Sequence, residues 1–427
     1  MGGMLARILI LGSGTLAGLA GVDHPPSTTL TAVALPSPIP ARPGYLVPYT
    51  DPRHGTRVVR VSDGTAMGVD LSAKTRISHM YAKNQPWNCD GTLLMLDWTY
   101  PCQVLNGTTF ARLRQISQPS QAIWSHTDPN LTYGRNGNTV VSCTMTTGAV
   151  TTLATLSAYS AISIGEGEGN LDNADRWMAL YATTTGGARQ VAVFDMTAKT
   201  ITATLAITSP TFNNCTMSQS GNYVVVQWGT SGSGAQRGIE VYDRSLQFQR
   251  QIHTSGGGHF DLGYDTAGNE VIVITSPNDR SLIMRRLDTG ATTTLLGTTL
   301  MGYNIHVSCR NIQDPGWATI SEFTGNPDIH YAYTQDVFSV RLDPAATGNA
   351  PVRRFAQICH ADDVLPADYE HQAHACVSPD GSRAIFASDW RDSTGTVHAY
   401  VAQAAPAGNQ GPGIAKPATA PVTLTLP

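Results

Sequence analysis

A short turn recurs seven times along this 427-residue chain, and it restricts the possible folds more than any other feature. The clearest copy is Ser-Pro-Asp-Gly at 378–381, flanked by two strand-like runs between Val377 and Trp390. Other copies centre on Asp90-Gly91, Asp128-Pro129, residues 170–176, Gly221, Gly268 and Asp314-Pro315-Gly316. The copies stand about 40 to 50 residues apart until a longer final gap. Between them lie more β-like runs, such as 189–195, 238–243 and 336–342, each closing on an Asp or Leu-Asp before a turn. About 45 residues per unit and four short strands in each are the signature of a propeller. Unrelated hairpins in a β-sandwich would have no reason to repeat one turn seven times. The expected fold class is therefore all-β, a seven-bladed β-propeller. The run at 57–62 alternates cleanly and is placed to complete the last blade.

Composition agrees. Charged residues make up 14% of the chain and glycines number 41, a turn-rich and helix-poor balance. A net charge of −4 with no basic run gives no nucleic-acid footprint. Arg7 precedes an apolar run at 8–20 with Gly18 and Ala20 near its end, so residues 1–20 read as a signal peptide and the protein as secreted or periplasmic. No other stretch could span a membrane. Residues 21–45 read as a Pro-rich linker, 46–403 as the propeller and 404–427 as a Pro/Ala-rich tail, in a monomer. Seven cysteines are an odd number, so in an oxidising compartment at least one thiol stays unpaired.

The first strand of a propeller blade lines the central channel, so residues at one offset before each turn share a ring. That ring reads Asn84, Glu168, Asn214, His259, His306 and His374, where inner strands usually carry Val, Ile or Ala. His371, His374 and Cys376 crowd one segment. On an extended strand His374 and Cys376 point the same way. With His306 from the preceding blade they would make a tetrahedral Zn²⁺ site, whereas Mn²⁺ or Ca²⁺ would prefer more oxygen and no thiolate. The alternative is a Cys309–Cys376 disulfide, with the histidines only lining the wall. His259 follows three glycines that allow close approach of a ligand. Arg237 sits in a Gly-rich loop, Tyr223 just after the fourth turn, and His79 and His126 before the first two turns. Each alone is an ordinary surface or core residue; gathered on one rim they would form a binding or catalytic site.

With these residues in place, the chain resembles the seven-bladed polysaccharide lyases, the oligogalacturonate lyases and their ulvan lyase relatives, across roughly residues 45–403. That group carries a Gln-x-x-His-x-His metal motif in its last blade and a His in the blade before. The matching positions are His371, His374 and Cys376, with His306 before them. The departures at His371 and Cys376 lean from Mn²⁺ towards Zn²⁺. The resemblance implies His259 as catalytic histidine, Arg237 as catalytic arginine, and Tyr223 with His126 as the counterparts of the ulvan lyases' Tyr and His. His79, Asn84, Glu168 and Asn214 would bind substrate. The implied reaction is β-elimination of an acidic polysaccharide or oligosaccharide. The C5 proton beside the uronate carboxylate leaves to His259 or Tyr223, a cation (Arg237 or the metal) steadies the charge, and a protonated Tyr or His meets the leaving oxygen. Two other readings stay open: a non-catalytic TolB-like propeller that binds protein or glycan, and a metal-dependent hydrolase on the same scaffold.

Overall fold

The computed structural model describes residues 23–24, 40–71, 76–98, 101–165, 167–298, 305–322, 333, 335–359, 369–391 and 395–403. The expected signal peptide at 1–20, the expected tail at 404–427 and most of the expected linker at 21–45 lie outside the described residues. Within the linker, Asp23–His24 pairs with Val352–Gln357.

Seven antiparallel sheets follow one another around an axis as a seven-bladed propeller. Blade one is Leu93–Leu96, Cys102–Asn106 and Arg112–Ile116. Blade two runs from Ser120–Trp124 to Ala149–Thr155, and blade three from Tyr159–Ser163 to Thr200–Ala206. Blade four runs from Phe212–Met217 to Phe248–His253, and blade five from Phe260–Tyr264 to Thr292–Leu296. Blade six runs from Ile305–Ser308 to Val352–Gln357. Blade seven holds Cys376–Val377, Arg383–Ser388 and Val397–Gln403. Arg57–Arg60 then pairs with Val397–Gln403, so an early segment of the chain closes the ring as its sequence suggests.

The recurring turn has the same physical reason in five of the seven blades. Gly91, Gly221, Gly268, Gly316 and Gly381 all adopt positive φ, between 71° and 88°, which a residue with a Cβ takes only at a cost. A side chain before the glycine closes the turn onto the next strand. Asn88 Oδ1 accepts from the Leu93 amide at 2.9 Å, Ser218 Oγ from Tyr223 at 3.1 Å, and Ser378 Oγ from Arg383 at 3.0 Å. Asp172 and Asp265 do the same for Trp177 and Asn269.

The strands between turns are apolar on both faces because each blade is covered on both sides. In Glu270–Thr275, Val271 and Val273 face blade six, whereas Ile272 and Ile274 face blade four. Seven such apolar clusters fill the seven gaps, including the one between blades seven and one. Each fully buried Val, Ile or Leu contributes on the order of 1.5–3 kcal/mol. All seven cysteines are free thiols, most of them in these clusters, so the alternative Cys309–Cys376 bridge does not form.

Ring closure should carry a large share of the stability. Val59→Pro removes a ladder donor from the closing strand and should lower stability by about 3 kcal/mol or more. Thr202→Pro, at the bulge of the exposed outer strand of blade three, should cost far less. Chemical denaturation of the two variants measures the difference; equal costs would mean that the closing strand is not what holds the ring.

Candidate functional site

The site is built on a segment that belongs to no blade. After Arg76–Ile77 pairs in parallel with the start of Val397–Gln403, the chain enters the central channel. His79 bonds through Nε2 with the His374 carbonyl of blade seven at 2.6 Å. Tyr81 meets His259, His306 and His374, which precede or lie in the inner strands of blades five, six and seven. Lys83 pairs with Glu168 of blade three, and its ammonium lies 4.6 Å from the Phe260 ring of blade five. Gln85 Nε2 donates to the carbonyls of Arg310 and Val377, both at 2.9 Å. The glycines at 165, 167 and 169 mark where blade three bulges against this plug. A Cβ on Gly167 would come within 2.6 Å of the Tyr81 Cβ, and one on Gly169 would collide with the Lys83 carbonyl.

Three imidazoles gather at the end of the channel where the inner strands begin. The His306 ring lies 4.3 Å from His259 and 4.3 Å from His374, centre to centre. The Tyr81 hydroxyl is 2.7 Å from His259 Nδ1 and 3.2 Å from His306 Nδ1, and it also bonds with Tyr369. His306 Nε2 is 2.7 Å from Gln372 Oε1. His374 is wholly buried, at a positive φ of 46°, and among the described residues neither ring nitrogen has a hydrogen-bond partner. Tyr369, 45% exposed, and Trp98 form an aromatic rim over His374, at 4.5 and 5.8 Å. The Arg76 guanidinium lies 4.1 Å from the centre of the Trp98 ring.

Burial sets the charge state. It is the main cause that lowers His259 to about 4, with the Lys83 charge second. Burial likewise pushes His306 and His374 well down, each helped by a neighbouring imidazole, and His79 to about 3. Burial also raises Tyr81 far above its usual range, followed by Tyr369. At neutral pH the floor is therefore a set of neutral donors and acceptors. A tyrosine hydroxyl has one proton and two lone pairs. If Tyr81 donates to Tyr369 it accepts from both imidazoles, and the Nε2 atoms of His259 and His306 keep their lone pairs. With its proton on Nε2 instead, His306 donates to Gln372 Oε1 and its Nδ1 accepts from Tyr81.

The structure brings together His259, His306 and His374 but not the rest of the expected ligand set. His374 leaves the extended region, so the alternation that would align it with Cys376 is broken. The Cys376 thiol points into the interface of blades seven and one, accepts from Ser308 Oγ at 3.3 Å, and is pushed up to about 12, chiefly by burial. His371 sits on a 3-10 turn and bonds with the Gly395 carbonyl at 3.1 Å. Among the described residues no group of three or more His, Cys, Asp or Glu side chains is arranged as a metal's ligands, and without the sulfur the case for Zn²⁺ falls away.

Tyr223 and His126 follow their inner strands, so they lie at the far end of the channel. Tyr223 packs between blades four and five, and His126 Nδ1 bonds with the Asp172 carbonyl at 2.9 Å. Arg237 is at the correct end but exposed, bonded to the Ser231 carbonyl of its own loop at 3.3 Å. His79 and Asn84 are buried in the plug, where Asn84 donates to the Ala122 carbonyl at 3.2 Å. Glu168 holds Lys83, and Asn214 Nδ2 donates to Gln227 Oε1 at 2.9 Å. Tyr81, Lys83, Gln372, Tyr369 and Trp98 were not expected. The run 79–85, which fits no strand pattern, and the alternate glycines at 165–169 are the sequence signals from which a plug could have been found.

No protein-family model matches the sequence, and no curated protein matches it. The fold does match solved structures. An oligogalacturonate lyase from Vibrio parahaemolyticus superposes with a TM-score of 0.58 at 10% identity, over 83% of this chain and 96% of that one. An oligogalacturonate lyase in complex with manganese gives 0.59 at 12% identity, over 90% and 98%. At such identities the likeness is one of fold.

Four buried neutral histidines make stability depend on pH. Their folded pKa values lie below the unfolded value of about 6.5, so the unfolded chain binds more protons beneath it. Their contribution is fully present above about pH 6.5 and falls as the pH drops towards the folded values, about 4 for His259 and about 3 for His79. Each adds a slope of up to ~1.4 kcal/mol per pH unit. Calorimetry should show the melting temperature falling from pH 7 to pH 5, before carboxylates titrate; a flat profile there would mean the cluster is solvated.

Proposed function

We propose that the protein is a polysaccharide lyase that cleaves a uronic-acid glycan by β-elimination at the His259–Tyr81–His306 cluster. The observation that carries this is a histidine held neutral, with Nδ1 tied to a tyrosine hydroxyl, beside a buried ammonium and an exposed aromatic rim. The fold likeness to oligogalacturonate lyases supports it. His259 takes the C5 proton on Nε2, the nitrogen that Tyr81 does not engage. Lys83, close enough to depress His259, steadies the negative charge that grows on the carboxylate. Tyr369, at the exposed rim and bonded to Tyr81, is placed to protonate the leaving oxygen. Tyr223 and His126 drop out as base and acid because they lie at the other end.

The residues present also fit a divalent cation. Gln372 Oε1, His306 Nε2 and the two unpartnered nitrogens of His374 are oxygen and imidazole donors, a set that suits Mn²⁺ and similar ions better than a thiolate site would. Such a cation, held by His306, His374 and Gln372, would neutralise the substrate carboxylate and so acidify C5. Export from the cell would place the enzyme where such glycans are met.

The test is the absorbance of the new carbon–carbon double bond, measured on a panel of uronate polysaccharides with and without chelator. His259→Ala should lower the rate by about 10²–10⁴-fold with circular dichroism unchanged. Tyr81→Phe should lower it less, and chelation should reduce it. Full activity in His259→Ala would remove the proposed base, and no absorbance with any uronate glycan would remove the reaction.

A further inference from the structure

Between blades three and four, at the end of the channel that holds His259, lies a cavity of about 420 Å³. That volume is typical of a small-molecule site. Its outer wall carries Tyr181 and Phe212, with rings stacked 5.0 Å apart at 19°. Arg189, on the third strand of blade three, is the cation of its lining and is steadied by a 3.1 Å bond to the Ser209 carbonyl. Asn214 lines it as well, its Nδ2 donating to Gln227 Oε1. Towards the axis the lining ends at Glu168, the partner of Lys83, so the cavity runs radially outwards from the reaction centre.

We infer that this cavity is an outer subsite for a second, carboxylate-bearing sugar of the same glycan, an inference that rests on the lyase reading. Each part of the wall matches one part of a hexuronate. A sugar ring presents a face of C–H groups that packs on an aromatic surface. Its carboxylate is an acceptor for a guanidinium fork. Its hydroxyls are donors and acceptors that suit the amide side chain of Asn214. Arg189 thus selects for charge at a position away from the bond that breaks, and the enzyme should prefer oligomers to short fragments.

Binding separates this inference from the reaction. Calorimetric titration uses a non-cleaving His259→Ala carrier with three probes: a galacturonate trimer, an ulvan oligomer and neutral maltotriose. One of the acidic oligomers should bind and maltotriose should not. Adding Arg189→Leu or Phe212→Ala should weaken the acidic oligomer about tenfold, the loss expected for one charge-assisted bond or one stacking face. Galacturonate monomer, which needs only the centre, should bind the carrier and the added variants alike. Unchanged trimer and ulvan binding in both variants, or no acidic oligomer bound by the carrier, overturns the subsite. Double-bond absorbance from the wild-type protein reads the reaction independently: product with unchanged pocket variants removes only the subsite, whereas weakened binding without product removes only the lyase reading.

Discussion

A ring of seven twisted sheets leaves a hole along its axis, and everything at the centre of this protein depends on how that hole is filled. Inner strands expose backbone carbonyls to the axis, and buried carbonyls without donors are costly. Here side-chain amides supply the donors. Gln85 bridges the carbonyls of blades six and seven, and Gln219 those of Leu262 and Cys309 in blades five and six, at 3.0 and 2.8 Å. Asn170 donates to the Ile164 carbonyl at 2.7 Å and accepts from the Met217 amide at 2.7 Å. Asp261 adds a wholly buried ion pair with Arg310, at 2.6 Å, and also accepts from the Cys309 amide at 2.7 Å. The blades are thus joined at the axis by polar bonds and further out by apolar packing.

The same plug creates the chemistry. Filling the channel removes water from His259, His306 and His374, and the loss of solvation keeps them neutral. Neutral imidazoles can accept a proton or a cation; charged ones, this close together, could not. Desolvation also strengthens the field of Lys83, which would otherwise be screened. One residue segment therefore closes the axis and sets the protonation of the centre.

Much of the architecture could be read from the sequence, because the constraint behind it is local. A turn that needs positive φ favours glycine, and that glycine repeats in five of the seven blades. The ring of His259, His306 and His374 followed from the same register, since neighbouring inner strands meet at equal heights. The reading failed where it crossed a turn or assumed a regular strand. Tyr223 and His126 lie past their inner strands, and a strand reversal sends them to the opposite end. Cys376 was placed beside His374 by strand alternation, but the left-handed backbone at His374 breaks it and the thiol turns into the core, while Gln372 meets His306 instead. The plug carries no period at all. Its position is fixed by contacts with blades one and two and with blades three, five, six and seven, most of which lie tens to hundreds of residues away in sequence.

Several departures from ordinary packing meet at this centre. His374 holds a backbone conformation that costs a non-glycine residue of order 1–3 kcal/mol, and it buries two ring nitrogens without partners. Lys83 and Glu168 are an ion pair in a setting where apolar side chains would be at least as stable. Nothing in the propeller's closure requires any of these. The seven apolar interfaces and the closing strand hold the ring without them. Costs that the fold does not need, gathered where Tyr81, Lys83 and three imidazoles meet, are the physical reason to place function at this end of the axis.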